Sequence, residues 1–148
     1  MIGINTCTFK REEENMSEKV AYLSQEWRDE VEKRFKAELS PEKMKFITTS
    51  VSYIYTGCPD GKDRCLYFKC DNGNFVEVAV EEGPPRQAEF VITGSYDLFS
   101  KLTQGIISSQ RALMSGKLKV KGNMVKALKL ASLADRMNKI MSRIPATY

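Results

Sequence analysis

The stretch Met114-Ser115-Gly116-Lys117-Leu118-Lys119-Val120-Lys121-Gly122-Asn123-Met124 constrains this chain most, because it sets a short strand between two glycines and then starts a long apolar helix. Leu118 and Val120 point to one face of an extended segment and Lys117, Lys119 and Lys121 to the other, the alternation of a strand with one wet face. Gly116 and Gly122 punctuate it. Asn123 is placed to cap the helix that follows, which is expected to run to about Met141.

Upstream, Val20, Leu23, Trp27, Val31 and Phe35 recur at three- and four-residue steps, which predicts an amphipathic helix from Ser17, its N-cap, to Glu38. Leu39 continues the stripe and Ser40-Pro41 ends it. Phe46 to Thr56 is rich in β-branched and aromatic residues, with Ile47, Val51, Tyr53 and Tyr55 on one face, and reads as a first strand. Gly57-Cys58-Pro59-Asp60-Gly61 is a turn. Strands Leu66–Cys70 and Phe75–Val80 flank a hairpin signal, Asp71-Asn72-Gly73-Asn74. A three-residue loop with a glycine bulge pairs Phe68 with Val78 and puts Leu66, Phe68, Cys70, Val76, Val78 and Val80 on one face, whereas a two-residue turn pairs Phe68 with Glu77; packing favours the first. Ala88 to Thr93 is a fourth strand, Ser95 caps a helix through Leu102 that Gly105 stops, and Ser108 to Met114 is a short helix. One helix, four strands, two short helices, a strand and a last helix make an α+β chain with helices gathered on one sheet face.

A chain of 148 residues is one domain by default. Met16 is a natural start, so residues 1–15 are expected to be a disordered extension and 16–148 the folded domain. No run of eighteen or more apolar residues exists, and the first fifteen residues carry Lys10, Arg11 and Glu12 to Glu14 in place of an apolar leader core, so the expected location is cytoplasmic. Cys7, Cys58, Cys65 and Cys70 lack common zinc spacing and there is no histidine to complete a mixed site. No metal or other cofactor is expected, and the cysteines are read as free thiols, although the Cys58–Cys65 spacing permits a disulfide. Without histidine the commonest general base and nucleophile pairs are missing, and no enzymatic activity is expected.

The net charge of +4 hides an asymmetry: from Ser95 onward ten Lys and Arg face two Asp, for +8, leaving −4 on the first 94 residues. An anionic partner surface fits that split, whether phospholipid head groups, a phosphorylated cofactor or nucleic acid. No nucleic-acid-binding motif accompanies the charge, so nucleic acid is not the expected partner. The last helix has more apolar surface than one core stripe needs: Met124, Leu128, Ala131, Ala134, Met137 and Met141 form a row, which Ala127, Leu130, Leu133, Ile140 and Ile144 widen. Such a helix is either wedged deep against the sheet or lines an apolar ligand cavity. Beside it Lys126, Lys129, Arg136, Lys139 and Arg143 form a basic edge suited to an anionic membrane surface. Tyr53, Tyr55 and Cys70 are the strand residues with chemistry to offer a cavity.

The run from Gly105 through Gly122 to Leu130 resembles the sterol carrier protein type 2 family, with similarity in element order from Lys43 to Met137 and its specific part in Ala88–Leu130. Ala88-Glu89-Phe90-Val91-Ile92-Thr93 is similar to the family's fourth strand, Ser95-Tyr96-Asp97-Leu98-Phe99 to its capped helix start, and Met114 to Asn123 to the phrase joining last strand and last helix. The resemblance implies a five-stranded mixed sheet covered on one face by helices, enclosing an apolar tunnel for a fatty acyl, acyl-CoA, sterol-like or isoprenoid lipid, with no catalytic residue. An accessory subunit presenting lipid to an enzyme, or a basic nucleic-acid-binding module, is the alternative. By matched position and apolar character, the candidate lipid contacts are Leu98, Leu102, Ile106, Leu113, Met114, Met124, Leu128 and Met137, with Phe68 and Val78 as weaker ones. Lys117, Lys119, Lys121, Lys126 and Lys129 are the candidates for an anionic head group or membrane surface.

Overall fold

The sheet is built around the aromatic strand β2 (Thr49–Thr56), which pairs antiparallel with β3 (Arg64–Asp71) on one side and parallel with β5 (Phe90–Ser95) on the other. The computed structural model describes residues 19–148. With β4 (Asn74–Glu82) and β6 (Lys119–Lys121) at the edges, the order is β4-β3-β2-β5-β6, a five-stranded mixed sheet. A two-stranded parallel ribbon, β1 (Val20–Ala21) with β7 (Ala146–Thr147), ties the start of the described chain to its end.

Four helices complete the fold: α1 (Gln25–Glu38), α2 (Tyr96–Thr103), α3 (Ser109–Met114) and α4 (Met124–Met141). Each begins at a residue whose side chain accepts a backbone N–H, respectively Ser24, Ser95, Ser108 and Asn123. Helix α1 sets Trp27, Val31 and Phe35, all fully buried, in one core with Leu66, Phe68, Phe75, Val78 and Val80 from β3 and β4. Burial of side chains this large contributes roughly 1.5–3 kcal/mol each. The outer sheet face is partly covered by the β4–β5 loop: the Ser52 hydroxyl donates to the Arg86 carbonyl (2.8 Å), and the Arg86 guanidinium lies 4.9 Å from the Tyr67 ring while pairing with Glu77 and Glu81.

The α+β architecture, the caps Ser95 and Asn123 and the end of the last helix at Met141 match the sequence expectations. The first helix does not. It starts at Gln25, not Ser17; Leu23 has φ 66°, and Val20 lies in β1, because Ser24 supplies the cap and Ala146-Thr147 supplies a strand partner that local periodicity cannot reveal. The expected extension 1–15, the Ser17 cap and Cys7 lie outside the described residues. The first strand starts at Thr49, since Lys45 and Phe46 have φ 53° and 51°; Phe46 is exposed.

The β3–β4 hairpin has the expected Phe68–Val78 pair by another route. Its turn is the two residues Asn72-Gly73, both at positive φ, with Cys70 opposite Phe75 and a register shift between Lys69 and Cys70. Val76, expected on the core face, is the residue displaced by that shift and is exposed, while Phe75 is buried instead. Gly73 is required here on two counts: φ is +82°, and a Cβ would lie 2.6 Å from the Pro41 carbonyl oxygen.

Candidate functional site

The inward side of β2 carries Val51, Tyr53 and Tyr55, β3 adds Leu66 and Phe68, and β5 adds Phe90 and Ile92; these walls and the four-residue repeats of α4 bound a cavity of about 60 Å³. Helix α4 gives Ala127, Leu130, Ala131, Ala134, Met137, Asn138 and Met141, one face at three- and four-residue steps, and α2 and α3 contribute Phe99, Leu102, Thr103, Ser109 and Leu113. Three alanines on that face keep the helix side chains short where the cavity lies. Leu133, Ile140 and Ile144 sit on another face of the same segment and are buried in the core with α1. The wide apolar surface of α4 thus serves both packing and cavity. Among the described residues, no charged residue and no cysteine lines it.

Hydroxyls are grouped at two places in the wall. At one, Tyr22 Oη lies 2.7 Å from Tyr55 Oη and 2.6 Å from Thr103 Oγ1, a buried network of neutral phenols. Burial holds Tyr22 and Tyr55 well above the ordinary phenol range, and does the same to Tyr53. At the other, Ser109 N–H donates to Asp135 Oδ1 (2.7 Å) and Asn138 Nδ2 donates to Ser109 Oγ (3.0 Å), so α4 fixes the start of α3. Cys58, Cys65 and Cys70 are buried free thiols, and burial pushes Cys70 up to about 11, away from nucleophilic use.

Of the candidate lipid contacts, Leu102, Leu113 and Met137 line the cavity, as does Phe68; Tyr53 and Tyr55 also line it, Cys70 and Val78 do not. Leu98 is half-buried beside the core, and Ile106, Met114, Met124 and Leu128 are exposed large apolar side chains, joined by Val125. Helical phase explains Leu128, which lies about 120° from the centre of the cavity face at 3.6 residues per turn. Met124, on the first turn of α4, falls at that face's edge. Ser109 and Asn138 were missed; the available signal was a polar residue seven positions after Ala131 and four after Ala134, in phase with the cavity face.

Lys117, Lys119, Lys121 and Lys129 are exposed and make no ion pair among the described residues. Lys126 differs: its ammonium binds Glu89 (2.7 Å) and lies 6.0 Å from the Phe90 ring centre, and together with the Thr49 hydroxyl it holds the Glu89 carboxyl below the usual range. The basic edge is therefore partly spent on the fold, since Arg136 also donates to the Lys43 carbonyl and Arg143 pairs with Glu38.

A mixed sheet with helices on one face and an apolar cavity between the layers defines an α+β protein with an internal apolar site, one that no charged side chain lines among the described residues. Residues 29–135 match the SCP-2 sterol transfer family, and the chain belongs to that family. It is 37% identical over 103 residues to hydroxysteroid dehydrogenase-like protein 2 of Bos taurus, covering 70% of this chain and 23% of the relative. It is 39% identical over 67 residues to a fatty acid-binding protein of Yarrowia lipolytica, 45% of this chain and 51% of that one. The chain thus spans about a quarter of the dehydrogenase-like relatives and half of the Yarrowia protein. A crystal structure of sterol carrier protein 2 superimposes with a TM-score of 0.72 at 18% identity, over 83% of this chain and 98% of that one, and shows the shared fold.

Proposed function

We propose that this protein binds and transfers a lipid without catalysis, holding its apolar chain in the cavity between sheet and helices. Residues 16–148 act as one lipid-binding domain. The observation that carries the reading is the cavity wall, apolar over most of its lining and, among the described residues, free of charged side chains and cysteine. At about 60 Å³ the space is far below the roughly 300 Å³ and more of typical ligand pockets, so uptake widens it, and Met137 and Met141 are side chains suited to re-packing around a guest. Each CH₂ buried contributes about 0.8 kcal/mol before ordering costs, which suffices for binding with no chemistry. Leu102, Leu113 and Met137 are the contacts from the sequence-based set that the reading retains. The free thiols fit a reducing, cytoplasmic location.

The exposed Met114, Met124, Val125 and Leu128, with unpaired Lys117, Lys119, Lys121 and Lys129 in the same run of chain, fit transient contact with an anionic bilayer during loading. A second reading, presentation of the lipid to an enzyme, is favoured by the dehydrogenase-like name of relatives four times longer than the matched segment.

The test is uptake of a fluorescent fatty acid and native mass spectrometry of the purified protein with Ala134→Leu beside it. Leucine at this cavity-facing position fills the space. The expected result is stoichiometric lipid on the wild type and loss of at least tenfold in affinity in the variant, with the thermal midpoint unchanged or raised. A wild type that takes up no lipid refutes the reading.

A further inference from the structure

Tyr53 is the one cavity-lining hydroxyl group that makes no hydrogen bond among the described residues. The residue is half-buried and keeps accessible area where it lines the cavity. A phenol O–H without a protein partner in an otherwise apolar wall is free to donate to a ligand atom. Two more polar groups share that wall. Asn138, whose amide nitrogen is used by Ser109 Oγ, has a carbonyl oxygen with no donor among the described residues, and the Ser109 hydroxyl hydrogen is unassigned to any acceptor. Tyr53 on the sheet and the Ser109–Asn138 pair, which Asp135 anchors through the Ser109 N–H, line the same cavity.

Apart from the Tyr55 and Thr103 hydroxyls, which bond Tyr22, the inventory is the Tyr53 and Ser109 hydroxyls and the Asn138 carbonyl, with no cation in the wall and a carboxylate behind it. An ionised carboxylate or phosphate brought here would lose its hydration against a negative neighbour. A neutral oxygen, in contrast, finds both partners it needs: an alcohol accepts from Tyr53 or Ser109 and donates to Asn138. We propose that the cavity recognises a neutral oxygen at the buried end of its lipid, a hydroxyl or carbonyl held by Tyr53, Ser109 and Asn138, and that anionic head groups stay outside. This rests on the lipid-binding reading above and adds polarity and direction to it.

The experiment compares hexadecanol, hexadecane and hexadecanoate as competitors of bound cis-parinaric acid, in the wild type, Tyr53→Phe and Asn138→Leu. Phenylalanine keeps the ring and removes only the hydroxyl, and thermal denaturation checks that both variants fold. One net hydrogen bond of about 1–1.5 kcal/mol corresponds to a loss of roughly five- to tenfold. That loss is expected for hexadecanol in each variant, with hexadecane and hexadecanoate unchanged. If each variant weakens all three competitors equally, or none, the polar subsite is overturned and lipid binding stands. If no probe binds the wild type, both readings fall together.

Discussion

At the residue scale the fold concentrates its unusual chemistry in tyrosines. Tyr22, Tyr53 and Tyr55 are neutral groups whose ionisation burial opposes, so each has a higher pKa folded than unfolded. Below about pH 10, the ordinary phenol value, both states are protonated and the three make no difference to pH dependence. Above it the unfolded chain releases protons that the folded chain keeps, so stability falls as pH rises. The expected outcome is a denaturant midpoint that is flat below about pH 9.5 and drops steeply above 10, with phenolate absorbance from these tyrosines arising only as the protein unfolds. Tyr22→Phe should blunt the drop; an unchanged slope would show that other groups set it. Single residues also mark where sequence reading stops. The core phase of Tyr53 and Tyr55 was legible because β-strand alternation is local, and so was the Phe68–Val78 pair. The exposure of Val76 was not, because nothing in the local alternation of Phe75 to Val80 marks the register shift between Lys69 and Cys70.

Among the elements, α4 links cavity and core. Its start depends on Asn123, whose side-chain oxygen accepts the Lys126 N–H at 3.0 Å, directly after Gly122, where φ is 136° and a Cβ would lie 2.6 Å from Phe90 Cδ1. Asn123→Ala is expected to cost about 1 kcal/mol, a fall of roughly 3–4 °C in thermal midpoint for a chain of this size, readable by calorimetry. Because Ala127 lies on the next turn and walls the cavity, the same change should speed lipid exchange more than it lowers affinity. Asn123→Asp should restore most of the stability, since an acidic cap suits the helix N-terminus. This helix was readable end to end, cap to Met141, whereas α1 was not. Its apolar repeat continues upstream through Leu23 and Val20, and only the pairing of Val20 with Ala146, 126 positions later, shows that those residues belong to β1. Periodicity identifies a face; a partner distant in sequence decides which element owns it.

Over the whole molecule, charge and exposed apolar surface coincide in the C-terminal third. The +8 excess after Ser95 is partly neutralised in the fold by Glu89 and Glu38, which leaves Lys117, Lys119, Lys121 and Lys129 without an ion pair among the described residues, in the same run of chain as exposed Met114, Met124, Val125 and Leu128. The proposed bilayer contact would draw on both terms, roughly 1 kcal/mol for each basic residue near the head groups plus the buried apolar area. Lys126 is the wrong residue to reverse, because its loss would also break the ion pair with Glu89 and disturb the fold. Lys117→Glu combined with Lys121→Glu leaves that pair intact. Co-sedimentation with phosphatidylserine vesicles is expected to fall at least tenfold in the double variant and to fall with added salt in the wild type. Val125→Asp should weaken it without changing the salt slope, because it removes the apolar contact alone. Lys62→Glu, on the β2–β3 loop where Lys62 faces Glu82 at 3.8 Å, should leave vesicle binding unchanged. Equal losses in Lys62→Glu and in the double lysine variant would mean that net charge, and not this face, governs attraction to the membrane.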